Sequence, residues 1–477
     1  MRPLGRSTLQ HFTICASCFP RIGTDFRAAA LRTRLRILAA ALANAGELAY
    51  DQVIIMAGAK IFMEDVDVVV IGAGSAGLSA AKTLRSAGLS FKLFEAMNRI
   101  GGRAWTSDQH FGIPFDIGCA WLHAADRNPY FPEAQAARWT LHHHDMNIDH
   151  LYYRNRKANE DEEAAMKAAD IRLFELLAAH EVKVGDDDRL SALLAKGHAP
   201  RAAATFAGPM DFGADEDEIS IRDFQAAADL DPNYFTKEGF GALVARFGAD
   251  VPVELSTPVR KILWDVPGVA CVTDRGTIRA KAAIVTASPA VLAFEEIEFS
   301  PALPDTHFAA FFDLPMGMLT KLPVEIRGTR LGLAPFDDLL IERLARHDIY
   351  FLCFPFDLDL MVGFVGGDFA WEMSAAGEAA GVDFVVDRLC AIFGGDVRKH
   401  VGRAMMTNWG GERFVRGAYA AARPGRSQAR ATLMQPVAEK ILFAGEHLAG
   451  PLMQTCGGAR LSGEAVARTV AAQLAAK

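Results

Sequence analysis

Apolar and polar residues follow one another along the chain in blocks whose period changes. Val68-Val69-Val70-Ile71 is an unbroken apolar run, which predicts a strand covered on both faces. A glycine turn, Gly72-Ala73-Gly74-Ser75-Ala76-Gly77, leads into a helix of small residues. Ser90–Phe94 predicts a second strand, ending at Glu95. Residues 157–181 carry Met166, Leu173, Phe174 and Leu177 at helical spacing, so a helix is expected there. Residues 235–248 read as a loop and a helix. Val251–Ser256, Val259–Asp265, Val269–Thr273 and Thr277–Thr286 read as strands, punctuated by Pro267-Gly268 and Arg275-Gly276. Further strands are expected after Pro315, at Ile349–Phe354 and at Leu360–Val365. A helix with a glycine interruption is expected at Trp371–Phe393, and a last strand and helix around Ile441–Phe443 and after Gly457-Gly458.

At 477 residues the chain exceeds one ordinary core, and two domains are expected. Hydrophobic residues at 51% and charged residues at 23% fit a globular enzyme. A net charge of −8 argues against a nucleic-acid partner. No stretch reaches the ~18 uninterrupted apolar residues of a membrane span. Residues 1–62 stand apart, with eight basic and three acidic residues against a net −13 for the remainder. They read as a misassigned start or a disordered extension. A targeting segment is the rival, since Arg32, Arg34 and Arg36 precede Ile37–Ala43, but the basic part is too long for one. Seven dispersed cysteines suggest reduced thiols in the cytoplasm. Cys15-Ala-Ser-Cys18 and His142-His143-His144 have metal-like spacing but no second cluster, so no metal is expected. The acidic runs Glu160–Glu163, Asp186–Asp188 and Asp215–Glu218 read as solvated faces, with an electrostatic funnel for a polycation as the sharper alternative.

The glycine turn carries the first chemistry. Gly72 permits the tight turn, Gly74 lets backbone approach a pyrophosphate, and Gly77 lets the helix pack close to the strand. Ser75 and Ala76 open that helix, where N–H groups and the positive dipole end meet an anion. Glu95 lies 18 residues beyond Gly77, where an acid would hold the ribose hydroxyls of an adenine dinucleotide. An acid there favours FAD or NAD over NADP. Glu95-Ala96-Met-Asn-Arg99-Ile-Gly101-Gly102-Arg103 then brings two glycines and two arginines toward the same pyrophosphate.

This run resembles the E-A-x-x-R-x-G-G-R pattern of the flavin-containing amine oxidase superfamily, and the resemblance extends from about Asp65 to the C-terminus. It implies a Rossmann-like α/β FAD-binding domain (63–145, 240–300 and 405–477) and an α+β substrate domain with a mixed sheet flanked by helices (146–239 and 301–404). Asp116-Ile-Gly-Cys-Ala-Trp121-Leu-His123, with Asn128-Pro129, resembles a segment of polyamine oxidases whose histidine faces the substrate. The resemblance assigns Val259 to the adenine through its backbone, and Lys321 to a water held against flavin N5. It places Trp409 near the flavin and Tyr419 as one aromatic wall. Monoamine oxidases have their flavin-bonding cysteine where this chain has Ala418, so FAD is expected without a covalent bond. Gly445-Glu446 resembles the ribityl-phosphate segment, Thr455, Cys456 and Ala459 belong to the matching segment, and the helix after Gly457-Gly458 points its N-terminus at flavin N1/O2. Thr455 replaces the second tyrosine of the monoamine oxidase cage.

The reaction so implied passes hydride from a neutral amine to flavin N5. The imine hydrolyses to an aldehyde and an amine, and O2 reoxidises the flavin to give H2O2. A small-molecule amine, a polyamine first, is the expected substrate. An L-amino-acid oxidase is the alternative and needs an arginine such as Arg127 or Arg154 at the substrate carboxylate. An FAD-dependent amine dehydrogenase with another acceptor and a non-enzymatic interaction protein are the remaining readings.

Overall fold

The protein is described by a computed structural model covering residues 65–476, apart from 154, 184–187, 196–205, 229 and 342–348. The readings of residues 1–62, Arg154, Asp186 and Asp187 fall outside the described residues.

Val68, Val69 and Val70 have no exposed surface, as an apolar run covered on both faces requires. They form β1 (Asp65–Ile71), followed by β2 (Phe91–Phe94), β3 (His150–Tyr153) and β4 (Arg156–Lys157). Then come β5 (Val259–Leu263), β6 (Val269–Thr273), β7 (Gly276–Val285) and β8 (Glu298–Ser300). The last strands are β9 (Leu319–Ile326), β10 (Asp338–Ile341), β11 (Tyr350–Cys353), β12 (Leu360–Gly366), β13 (Val401–Ala404) and β14 (Ile441–Phe443). The helices that matter here are α1 (Ser75–Ser86), α2 (Glu160–Ala179), α3 (Phe240–Gly248), α4 (Gly367–Ala376), α5 (Glu378–Phe393) and α6 (Cys456–Ala475).

The first sheet runs β8-β5-β6-β7-β1-β2. β1 is parallel to both neighbours, with Val69 beside Ala283 and Val70 beside Leu93. β7 is long enough to serve two partners along one edge. Its first half pairs antiparallel with β6, and its second half pairs parallel with β14, Ala283 beside Ile441. All strands of the parallel core end toward the same side, where ligands of such sheets bind. α1 returns over β1 because Gly77 has no side chain. A Cβ there would stand 1.8 Å from the Gly72 carbonyl oxygen.

The second sheet runs β13-β9-β12-β11-β10-β3-β4. In β9 the period-two pattern puts Leu322, Val324 and Ile326 into the core that also holds Phe369 of α4 and Val385 of α5. Leu319 and Lys321 have the opposite parity and face the other way. Four predicted features differ. The expected helix 371–393 begins earlier, at Gly367, while its expected glycine interruption falls at Gly377, between α4 and α5. Val251–Ser256 forms no strand and contributes only a bridge from Glu254 to Phe94. Strands β3, β4, β8, β10 and β13 were not expected. The first acidic run is a solvated helix start, where Asn159 and Glu162 cap α2, and in the third Asp217 and Glu218 are exposed in a turn. Asp188 is buried and accepts from the Gly425 and Arg222 N–H groups, and Asp215 is buried too.

Among the described residues no helix is long and apolar enough to cross a membrane.

Candidate active site

Residues of both sheets line one cavity of about 1390 Å³, from Ile71 and Phe94 to Lys321 and Phe364. That volume exceeds the ~300–1,000 Å³ usual for a single small ligand. Every predicted site residue except Gly77 and Arg99 lies on its wall.

At the glycine-rich end, the α1 N-terminus meets the Gly101-Gly102 turn. A Cβ on Gly102 would stand 3.3 Å from Gly74 Cα, so the two backbones form a cradle without side chains. Glu95 is buried and its carboxylate accepts from Ala73 N–H (2.7 Å) and Met97 N–H (2.8 Å). Burial pushes its pKa up. Ala96, Ser75, Ala76 and Val259 complete this wall. Arg99 takes a different place from the one expected. Its Nη1 donates to the Gly102 carbonyl (2.7 Å) and its guanidinium lies over Trp105 (4.5 Å), so it braces the glycine turn from outside the cavity. Its buried Nη2 has no partner among the described residues. A bare backbone cradle and a helix N-terminus fit a pyrophosphate. Farther along, Arg103 joins Glu446 (2.9 Å) and the Ala418 carbonyl (2.6 Å). Gly445, Ala459 and Trp409, whose indole N–H donates to Ile117 (3.2 Å), line the wall there.

The other end is where Lys321 stands. Its ammonium is buried and donates to the carbonyls of Asp116 (2.8 Å) and Gly118 (2.6 Å). An ammonium has three donors, so one is left for the cavity. Burial lowers Lys321 to about 8, opposed by the charge of Asp116. Tyr419 lines the cavity, but its hydroxyl donates to the Met210 carbonyl (2.6 Å). Its ring face is therefore what it offers, and burial pushes its pKa up. His123 Nδ1 bonds Asn233 Oδ1 (2.7 Å), while the Asn233 amide donates to Asp231 and so fixes the orientation of that amide. The proton sits on Nδ1, which leaves Nε2 as an acceptor. Burial lowers His123 to about 4, so it is neutral at pH 7. Thr455 is on the wall, but its hydroxyl accepts from Gly458 N–H (2.9 Å) and donates to Leu452 (2.8 Å). It caps α6 and has no hydrogen left to give a ligand. Ala418 presents a methyl group, with no atom to bond a flavin.

Two features were missed in the sequence. Asp211 opens onto the cavity and has no hydrogen-bond or ion-pair partner among the described residues. It follows Met210, which anchors Tyr419, so the carboxylate sits beside that ring. Its side chain is accessible, and it lies on the cavity wall. Burial, and then the neighbouring Asp170, raise it to about 7. Asp170 on α2 has an unpartnered buried oxygen and rises to about 6 by burial. The available signal was a single acid within Pro209-Met210-Asp211-Phe212, the same kind of signal that marked Lys321. The second feature is a buried cluster in which the Tyr350 hydroxyl and His144 (3.2 Å) both meet Asp338. The histidine run is thereby dispersed. His142 stacks on Phe336 and His143 meets Asp145 (3.3 Å). Arg127 is at the surface and does not line the cavity.

A family model described as flavin containing amine oxidoreductase matches residues 75–227 and 202–471. Polyamine oxidase 4 of Oryza sativa subsp. japonica is 26% identical over 441 residues, covering 84% of this chain and 87% of that protein. Lysine-specific histone demethylase 1 homolog 1 of the same plant is 25% identical over 83% of this chain, which spans only 51% of its length. Among solved structures, putrescine oxidase bound to putrescine matches with a TM-score of 0.71 and 21% identity, over 86% of this chain and 100% of that one. Cyclohexylamine oxidase from Brevibacterium oxydans IH-35A matches with a TM-score of 0.71 and 22% identity, over 86% of this chain and 100% of that one. These last likenesses concern the fold. The match of the family model over most of the chain carries the assignment: the chain belongs to the flavin containing amine oxidoreductases, and FAD is its cofactor.

Proposed function

We propose that the protein is an amine oxidase acting on polyamines or diamines. The observation that carries the substrate is Asp211, an unpartnered carboxylate in the cavity wall beside Tyr419. A second ammonium on the substrate gives it the partner it lacks, and binding that cation draws its pKa back down. A substrate carboxylate would be repelled there. The arginines on the wall do not favour an amino acid either, because Arg103 is held by Glu446 and Arg222 donates to Val182 (2.7 Å).

In this reading the Gly72–Gly77 turn, Gly102 and Arg103 hold the pyrophosphate, Glu95 the ribose, Val259 the adenine, and Gly445, Glu446 and the α6 N-terminus the ribityl and ring. Bound there without a covalent bond, FAD would supply the two-electron chemistry of amine oxidation, with O2 and water as co-reactants and H2O2, an aldehyde, and either ammonia or a shorter amine as the products. The chain's own contribution is selection and placement. Apolar walls including Phe364 and Leu319 disfavour an ammonium near Lys321, so the reacting nitrogen enters neutral. His123 Nε2 accepts an N–H from it, and the Tyr419 face confines it. The third Lys321 donor orders a water at the reacting end. Free cysteines among the described residues support a reducing, cytoplasmic setting.

The test mixes the purified yellow protein anaerobically with putrescine, spermidine, spermine, N-acetylspermine, tyramine, cyclohexylamine and L-amino acids. Fast bleaching by a diamine or polyamine is expected. Asp211→Asn should then raise the KM for that substrate about 10- to 100-fold, the worth of one charge-assisted bond, and leave tyramine unchanged. Bleaching by an L-amino acid, or equal loss for mono- and diamines, would overturn the reading. An oxygen electrode separates an oxidase from a dehydrogenase.

A further inference from the structure

Tyr130 is fully buried and does not line the cavity, yet its hydroxyl ends behind the cofactor cradle. It lies 2.8 Å from Ser75 Oγ, and Ser75 Oγ lies 2.9 Å from the Cys456 carbonyl oxygen. Ser75 is the first residue of α1 and Cys456 the first residue of α6. One turn later Ser79 repeats the link, donating to the Arg460 carbonyl (2.8 Å). Both links climb the two helices in the same sense, so α1 and α6 run parallel with their N-termini abreast. Gly463 lets them approach, since a Cβ there would stand 2.0 Å from the Ala76 oxygen.

Two helix N-termini side by side repel, because each carries a partial positive charge. The hydroxyls tie them together, and the direction of the chain is fixed. A carbonyl only accepts, so Ser75 spends its one hydrogen on Cys456. The hydrogen in the Tyr130–Ser75 bond is therefore the phenol's. The phenol itself is clamped. Its ring meets Phe240 and Phe247 edge to face, at 5.6 and 5.5 Å, and the Arg460 guanidinium lies over it at 4.8 Å. Its backbone N–H donates to Asn128 Oδ1 (3.0 Å). Asn128 packs on the first turn of α6, where a Cβ on Gly457 would stand 2.7 Å from that Oδ1, and donates to the His123 carbonyl (2.9 Å). The loop from His123 to Tyr130 thus grips the start of α6 at two points.

We propose that Tyr130 is a positioning residue that tunes the reduction potential of the bound flavin. It is absent from the cavity wall and acts through Ser75, which sets where the N-terminus of α6 stands. Negative charge grows at the N1/O2 end of a flavin on reduction, so a fixed helix N-terminus there favours the reduced form. A helix end left to shift favours it less. The inference rests on the seating of the ring at α6 given above, and not on the substrate.

The experiment measures the two-electron potential of the FAD-loaded protein against reference dyes during anaerobic reduction, and follows FAD release by fluorescence. Tyr130→Phe keeps the ring and removes only the donor. The ratio of reduced to oxidised FAD affinity should fall about three- to tenfold, the worth of one hydrogen bond. That change lowers the potential by ~15–30 mV for a two-electron couple. Ser75→Ala should lower it at least as far, and the double variant no further than Ser75→Ala alone. Thr455→Asp keeps a cap on α6 and adds a negative charge to the cavity wall, so it lowers the potential if the ring is seated there. If Thr455→Asp lowers the potential and Tyr130→Phe leaves it unmoved, the seating stands and the proposal fails. Weaker FAD binding alone would not save it, because a merely structural loss weakens both oxidation states alike. Additive effects of Ser75→Ala and Tyr130→Phe would also overturn it, since Tyr130 would then act by another route. If no variant moves the potential, the seating is wrong and the proposal falls with it. Should Tyr130→Phe not fold, Ser75→Ala cuts the same chain and decides: a lowered potential supports the proposal, and an unchanged one overturns it.

Discussion

Replacing Lys321 with methionine removes a buried charge while keeping an unbranched side chain of similar length in β9. Lys321 falls from 10.5 to about 8 on burial. At ~1.4 kcal/mol per unit, keeping it charged costs the fold about 3 kcal/mol at neutral pH. Methionine removes that cost. In exchange, the Asp116 and Gly118 carbonyls lose donors at 2.8 and 2.6 Å. Leaving each unpaired costs about 1–3 kcal/mol. The two effects nearly cancel, so Lys321→Met should unfold within about 2 kcal/mol of the parent in urea at pH 7. The sign with pH is also set. The folded pKa lies below the unfolded one, so the cost is complete below pH 8 and vanishes above 10.5. The parent should therefore gain on the variant as pH rises through that window. Activity should respond differently, because a preorganised donor at the reacting end is worth about 10²-fold or more in rate. Stopped-flow measurement of flavin bleaching by amine, then of reoxidation by O2, separates the two half-reactions. A variant matching the parent in both would refute the argument, and the lysine would then be an ordinary buried cation.

Other tests follow from buried groups away from the reacting end. Burial, with the charges of Arg103 and Arg430, lowers His447 to about 3, and neither ring nitrogen has a partner among the described residues. The unfolded chain takes its proton near 6.5, so stability should fall by up to ~1.4 kcal/mol per pH unit from 6.5 downward. His447→Phe should flatten that slope, as urea midpoints at pH 7, 6 and 5 would show. Arg430 pairs with buried Asp223 through two bonds, 2.6 and 2.7 Å. Arg430→Met leaves that carboxylate with the Ala422 N–H but without its cation and should cost about 3–5 kcal/mol in the same assay. Gly77→Ala puts a methyl 1.8 Å from the Gly72 oxygen. It should cost about 3 kcal/mol and yield protein that purifies without the yellow of flavin.

The FAD-side elements were legible because each rests on short-range chemistry. An apolar run followed by glycines at three fixed positions has few alternatives: β1 ends at the expected Ile71, though it begins three residues before Val68, and α1 follows from the glycine turn. Lys321 was legible as a charge in an apolar strand, where it could persist only with partners. What stayed hidden depends on who meets whom. Thr455 was read as a site residue in place of a tyrosine, and the geometry of a helix end claims its hydroxyl, since Gly458 N–H has no other acceptor within the helix. Arg99 was read toward the phosphates, yet its nearest acceptor is its own loop.

Asp211 is the instructive case, because a solvated face and an electrostatic funnel were weighed for the acidic runs and it belongs to neither. It stands outside every run, among Met210, Phe212 and Gly213, and its neighbour Asp170 comes from a helix some forty residues earlier. No local pattern joins them. Two carboxylates without a cation are an unfavourable pair in a folded chain, and proton uptake near pH 7 and 6 is how this fold relieves it. A dicationic substrate relieves it better. The monoamine and diamine kcat/KM should therefore diverge as pH rises from 6 to 8, the diamine gaining as the carboxylates ionise. Parallel pH profiles for the two substrates would show that the pair does not meet the substrate at all.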